Sequence, residues 1–134
     1  MYSLKFDTPR RTLHLELQGF WSGATLMAFA AEMRAEVAAL NARGETFAIL
    51  SDCRRFPVQS LEVATGFERM MQHGGGPFRG PSAIVVASVL SKMQAERIFG
   101  GPHVRVFLAV KEAQAWLDTE WCVPKAKETG SHAA

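Results

Sequence analysis

The stretch FAILSDCRRF, residues 47–56, decides the fold of this chain. Its first four residues, Phe47 to Leu50, are all apolar, which is typical of a central strand whose two faces are both covered by helices. We expect the strand to end at Leu50 and to release Ser51 and Asp52 into a loop. Open α/β sheets bind their ligands beyond the carboxyl ends of their strands, so this loop is the first place to look for a site.

The rest of the chain repeats this alternation of strands and helices. The apolar run at 83–87 and the stretch VRVFL at 104–108 predict two further strands, and leucines that alternate with polar residues near the amino terminus predict a β-hairpin. Between the strands, apolar residues recur at steps of three and four, which predicts amphipathic helices. The first helix begins after Ser22 and the second after Ser60, and both serines are good helix caps.

The predicted order is β-β-α-β-α-β-α-β-α. Strands that alternate with helices pair in parallel through right-handed crossovers, and the opening hairpin adds one antiparallel strand. The fold class is therefore α/β, with a mixed, mainly parallel sheet and helices packed against it. At 134 residues the chain suits one domain, which we place at residues 1–119, followed by a polar carboxyl-terminal tail at 120–134.

Composition excludes several classes of function. A net charge of +2, from 15 basic and 13 acidic residues, is too balanced to favour nucleic acid as a partner. No apolar stretch is long enough to form a transmembrane segment, and the amino terminus does not resemble a signal peptide, so we expect a cytoplasmic protein. The cysteines and histidines lack metal-ligand spacing, and no nucleophile–base pattern is present. We therefore expect no enzyme activity, no metal and no cofactor.

Three stretches in this order resemble the STAS superfamily of anti-sigma-factor-antagonist domains, and most of all its SpoIIAA-like branch. They are FAILSDCRRF at 47–56, SAIVVASVLSKMQAERI at 82–98 and VRVFLAVKEAQAWL at 104–117. The resemblance covers roughly Leu4 to Leu117. It implies a non-catalytic, regulatory domain that binds a protein partner.

In regulatory members of the superfamily, the loop after the Asp-ended strand carries a serine that a partner kinase phosphorylates. The matching segment here is DCRRFPVQSLEVATGF, residues 52–67, and Ser60 falls close to the place of that serine. Gln59 stands where the family has aspartate, and no glycine follows at the usual offset. The resemblance thus implies partner docking through the loop and helix start at residues 51–60. The candidate residues in this segment are Asp52, Arg54, Arg55 and Ser60.

Two of these residues have a structural interpretation beside the functional one. The Ser60 hydroxyl can simply cap the second helix. Alternatively, a phosphate on Ser60 would lie at a helix start, where free N–H groups favour an anion, and could pair with Arg54 and Arg55 nearby in sequence. Asp52 either shapes the loop by accepting backbone N–H groups or contacts a ligand at the rim of the sheet.

Three further features also have two interpretations. Cys53 is either an ordinary thiol or, beside two arginines, a reactive one with a lowered pKa. Phe20 and Trp21 either pack against the first helix or form part of an exposed interface. The run Gly74–Gly76 lacks the ending of a phosphate loop and is interpreted as a flexible turn.

An alternative function is that of a domain for a small apolar ligand. SpoIIAA-like members resemble lipid-binding domains of the CRAL-TRIO kind, in which a groove between helix and sheet takes such a ligand. Four flexible methionines, Met33, Met70, Met71 and Met93, either line a pocket of this kind or fill the core. The sequence also allows a homodimer, and it leaves the protein partner unnamed.

Overall fold

The helices and strands follow the predicted order. The computed structural model describes residues 1–44, 46–73, 80–99 and 103–120, with the backbone alone at 71–73 and 98. The predicted turn at Gly74–Gly76 and residues 121–134 lie outside the described residues. The elements are β1 (Tyr2–Asp7), β2 (Thr12–Gln18), α1 (Gly23–Ala42), β3 (Ala48–Arg55), α2 (Leu61–His73), β4 (Ser82–Val85), α3 (Val89–Phe99), β5 (Val104–Phe107) and α4 (residues 110–120).

The five strands form one sheet in the order β1-β2-β3-β4-β5. β1 and β2 pair antiparallel as the predicted hairpin, with Leu4 opposite Leu15, and every later pair of neighbours is parallel. Ile84 of β4 lies opposite Val106 of β5, so the last two strands belong to the same sheet as the hairpin. The predicted α/β class with a mixed, mainly parallel sheet is confirmed.

The apolar run of β3 reflects a sheet that is covered on both faces. Alternation along the strand sends Ile49 toward α1 and α2, and sends Ala48 and Leu50 toward α4 on the opposite face. α3 covers the same face as α1 and α2, where Ala95 packs with Ile84. We call the face covered by α1, α2 and α3 the three-helix face.

Phe29 of α1 lies at the centre of the larger core, on the three-helix face. Its side chain is only 2% exposed, and the ring centroids of Trp21, Tyr2 and Phe67 lie 5.2, 5.3 and 6.1 Å from its own. Such spacing suits tilted and edge-to-face contacts between aromatic rings, which add to the gain from burying large apolar areas. Phe29 therefore joins α1 to β1, to the start of the β2–α1 connection and to α2.

The prediction that β3 ends at Leu50 was wrong, because the strand continues to Arg55. Ser51 lies opposite Leu15 of β2 and Ile84 of β4, and Asp52 is paired on both sides in the same way. Backbone hydrogen bonds from two neighbouring strands hold these residues in the sheet whatever the polarity of their side chains. The predicted loop at 51–60 is consequently shorter and comprises residues 56–60.

α1 and α2 approach each other closely at Gly66 of α2. A Cβ atom at this position would collide with Cδ2 of Leu26, which is a buried residue of α1. The missing side chain thus allows α2 to lie against α1. As a result, the first turns of the two helices stand side by side at the rim of the sheet.

Candidate functional site

Three helices that begin at the carboxyl rim of the sheet are each capped by a serine. Because β2, β3 and β4 run parallel, they end at one rim, and α1, α2 and α3 begin there. Ser22, Ser60 and Ser88 precede these helices, and each hydroxyl oxygen accepts the backbone N–H three residues later, at 3.2, 3.3 and 3.1 Å. The predicted caps at Ser22 and Ser60 are confirmed, and Ser88 adds a third.

Large apolar side chains are exposed along this same rim. Within the described ranges, every exposed large apolar residue lies at a strand end, in a loop or in the first two turns of a helix at this rim. These residues are Met1, Phe20, Met27, Val58, Leu61, Val89, Leu90, Met93 and Leu108. This pattern could not be recognised in the sequence, because single apolar residues beside helix caps look like ordinary contributions to the core.

Ser60 lies among the most exposed of these apolar residues. Val58 and Leu61 flank it in the chain and are 75% and 83% exposed, and Ser60 itself is also exposed. Phe20, which is 79% exposed, belongs to the connection between β2 and α1, against which the Ser60 loop is held by hydrogen bonds. We call Phe20, Val58, Ser60 and Leu61 the Ser60 surface.

The two members of the predicted aromatic pair have different roles. Trp21 is 6% exposed, its ring lies 5.0 Å from that of Phe56, and its indole N–H donates to the carbonyl oxygen of Gln18 at 2.9 Å. Phe20 instead projects to solvent at the Ser60 surface. The packing interpretation is therefore confirmed for Trp21, whereas Phe20 is exposed, and its part in an interface stays a prediction.

Asp52 and Arg54 form a two-pronged ion pair at the end of β3. The guanidinium Nε and Nη2 of Arg54 donate to Oδ1 and Oδ2 of Asp52 at 2.9 and 2.8 Å, and the Arg54 backbone N–H also donates to Oδ1 at 3.2 Å. These hydrogen bonds from Arg54 hold the pKa of Asp52 below its ordinary value. Asp52 thus accepts a backbone N–H and fixes the local chain, as its structural interpretation proposed.

The structure separates this ion pair from Ser60. Along β3, the side chains of Asp52 and Arg54 point to the same side of the sheet as that of Leu50, which is the face opposite α2. Ser60, in contrast, caps the start of α2. The ion pair lines a polar cleft of about 370 Å³, together with Glu16, Leu17, Gln18 and Arg55. Arg54 is therefore paired with Asp52, and the four candidate residues occupy two neighbouring parts of one rim.

Cys53 is an ordinary structural thiol. Its side chain alternates onto the three-helix face, where it packs against the core. Burial, and to a smaller degree the charge of Asp52, raises the pKa of Cys53 to about 12. Of the two interpretations of Cys53, the ordinary thiol is confirmed and the reactive thiol with a lowered pKa is wrong, because burial of the sulfur raises the pKa.

This burial predicts a slow thiol reaction. At pH 8, a pKa near 12 in place of the ordinary 9.0 leaves about a thousandfold less thiolate. We expect folded Cys122→Ser protein, which retains only Cys53, to react with a thiol reagent roughly a thousand times more slowly than the same protein in urea. The absorbance change of a disulfide reagent measures both rates. Equal rates in the folded and unfolded protein would contradict the burial of this sulfur.

The described methionine side chains differ in exposure. Met33 and Met70 pack against the core on the three-helix face, while Met93 is 56% exposed. For Met93 the interpretation as a core-filling residue is therefore wrong, and the side chain of Met71 is not among those described. Five of the six residues that line the cleft beside Asp52 are charged or carry an amide, and Leu17 is the sixth, so the cleft does not favour an apolar ligand.

Across the described part of the chain, no three His, Cys, Asp or Glu side chains lie together as a metal site would require. Among its helices, none combines the length and the apolar character needed to cross a bilayer.

Within the described residues, these layers form a SpoIIAA-like fold: a five-stranded mixed sheet with three helices on one face and one on the other. Neither a protein-family model nor a curated protein matches the sequence. Among solved structures, the chain is similar to the Bacillus cell fate determinant SpoIIAA in its phosphorylated form, with a TM-score of 0.52 and 18% identity. The likeness covers 87% of this chain and 99% of that one. At this identity it establishes the fold.

Proposed function

We propose that this domain is a non-catalytic regulatory module that docks a protein partner through the Ser60 surface. The observation that carries the proposal is an exposed helix-capping serine between Val58 and Leu61, two of the most exposed apolar residues in the described part of the chain. Isolated apolar residues are common on protein surfaces, but a group of them at one rim is typical of interaction sites. The SpoIIAA-like fold supports a regulatory role.

The exposure of these side chains favours a protein over a small molecule. A small-ligand site shelters its apolar lining within a cavity, whereas Phe20, Val58 and Leu61 are each at least three-quarters exposed. Burying a side chain of this size contributes about 1.5–3 kcal/mol. A partner that covers all three would therefore gain enough for specific docking. Asp52, Arg54 and Arg55, along the neighbouring cleft, are the polar candidates for contacts around it.

Phosphorylation of Ser60 would control this docking. A phosphate carries a charge of about −1.5 to −2, and on Ser60 it would lie at the start of α2, where free N–H groups tolerate an anion. The helix would therefore persist. The partner, however, would have to bury that charge among Val58 and Leu61, which is costly without a cation to pair it. The SpoIIAA structure similar to this chain was determined in its phosphorylated form.

Replacing Ser60 by aspartate tests this control. Aspartate is a good helix cap, so Ser60→Asp adds charge while keeping the fold, and we expect it to weaken partner binding by about tenfold or more. Ser88→Asp places the same charge at the cap of α3 and serves as the matched control, with binding retained. Calorimetry or co-purification with the partner measures both. If Ser60→Asp binds as well as the original chain, Ser60 does not control docking.

A further inference from the structure

Gln59, one residue before Ser60, connects two loops that are far apart in sequence. Its side-chain oxygen accepts the backbone N–H of Trp21 at 2.8 Å, and its amide nitrogen donates to the carbonyl oxygens of Gly19 and Pro57 at 3.0 and 2.6 Å. A rotated amide would set its N–H groups against the N–H of Trp21 and its oxygen against two carbonyls, so the hydrogen bonds fix its orientation. We call these three bonds the Gln59 clamp.

The Gln59 clamp holds the backbone on both sides of Phe20. Gly19 has φ +75°, a conformation that favours glycine, and its N–H donates to the carbonyl oxygen of Arg55 at 3.0 Å. Trp21 is buried immediately after Phe20. The Phe20 backbone is thus fixed from both sides by residues of the segment 55–59, while its side chain is 79% exposed.

Resting on the proposed function, we infer that Gln59 is the positioning residue that makes Phe20 part of the docking surface. Through the clamp, Phe20 joins Val58 and Leu61 in one surface that is formed before the partner arrives. A surface that is ordered in advance loses less conformational freedom on binding. Loss of the clamp would therefore weaken binding through Phe20, even though Gln59 itself is half-buried.

The charges around this surface specify the kind of partner segment. The start of α1 carries no acidic residue in its first turn. The carboxylate of Glu62, from α2, lies there instead. A Cβ atom placed on Gly23, the first residue of α1, would be only 2.8 Å from its Oε2. A carboxylate there already compensates the positive end of α1. An acidic side chain of a partner would therefore gain little at this helix start. The exposed side chains of Phe20, Val58 and Leu61 instead fit a protein segment of large, uncharged apolar side chains.

Peptides selected from a random phage-displayed library on the unmodified protein are the probe. For peptides whose binding is lost with Leu61→Asp, we measure affinities for Gln59→Met, Phe20→Ala and the double variant, with Gln114→Met in α4 as the matched control. We expect Gln59→Met and Phe20→Ala each to weaken binding about tenfold. The double variant should bind no more weakly than Phe20→Ala alone, because Gln59 acts through Phe20. The selected peptides should be rich in apolar residues and poor in acidic ones.

The outcomes separate the two proposals. Additive losses in the double variant, undiminished binding by Gln59→Met, or acid-rich peptides overturn the role of Gln59 or the kind of partner, while docking at Leu61 stands. A library that yields no Leu61-dependent peptide counts against the proposed function itself. In that case, hydrogen exchange of the Trp21 amide still tests the Gln59 clamp. The Trp21 amide should exchange several-fold faster in Gln59→Met than in Gln114→Met, and equal rates would refute it.

Discussion

Replacing Leu61 by aspartate is expected to weaken partner binding by about a hundredfold, because it places a charge at the most exposed apolar position of the Ser60 surface. Leu61 is 83% exposed and is the first residue of α2. An acidic residue in the first turn of a helix is favourable, so the fold should be unaffected. Retention of the partner on immobilised protein, followed by calorimetry with the purified pair, measures the loss.

Val89→Asp is the matched control for this variant. Val89 is also the first residue of a helix, follows its own capping serine and is 63% exposed. We expect it to retain binding within about twofold. Equal losses in both variants would show that docking involves the whole rim, and full binding by Leu61→Asp would exclude the Ser60 surface. If the partner is a second copy of this chain, the same variant converts a dimer into a monomer in light scattering.

Replacing Phe29 by alanine is expected to lower the free energy of unfolding by about 3–5 kcal/mol, the typical loss for a buried aromatic residue. Phe29 is 2% exposed and its ring contacts those of Tyr2, Trp21 and Phe67. The truncation would leave a cavity between α1, α2 and the hairpin. Urea unfolding followed by circular dichroism gives the difference, and a loss near 1 kcal/mol would contradict this packing.

Met27→Ala provides the control on the same helix. Met27 lies two residues before Phe29, but it is 74% exposed. We expect its replacement to change the free energy of unfolding by no more than about 0.5 kcal/mol. Where Phe29→Ala proves too unstable to purify, Phe29→Leu keeps the comparison, with an expected loss of about 1–1.5 kcal/mol.

The order and class of the elements could be predicted because burial leaves a direct mark on sequence. A strand covered on both faces needs consecutive apolar residues, as in Phe47 to Leu50, and the hairpin with one covered face shows alternation instead. Helix starts were predictable from Ser22 and Ser60, since capping depends on residues only three positions apart.

Features that depend on distant neighbours could not be predicted. The length of β3 follows from hydrogen bonds to β2 and β4, which the polar side chains of Ser51 and Asp52 do not reveal. Two bonds of the Gln59 clamp join residues that are 38 and 40 positions apart, so no local pattern around Gln59 indicates them. The raised pKa of Cys53 could not be predicted for the same reason, since the residues that bury its sulfur belong to other elements.

A photo-crosslinking amino acid, introduced at one position of the full chain inside the cells that produce it naturally, tests most directly where the partner binds. Two positions suffice: Leu61, on the Ser60 surface, and Lys5, an exposed residue of β1. After irradiation, we expect a discrete protein adduct from position 61, diminished when Ser60 is replaced by aspartate, and none from position 5. Absence of an adduct at position 61, or the same adduct at both, would contradict docking at this surface.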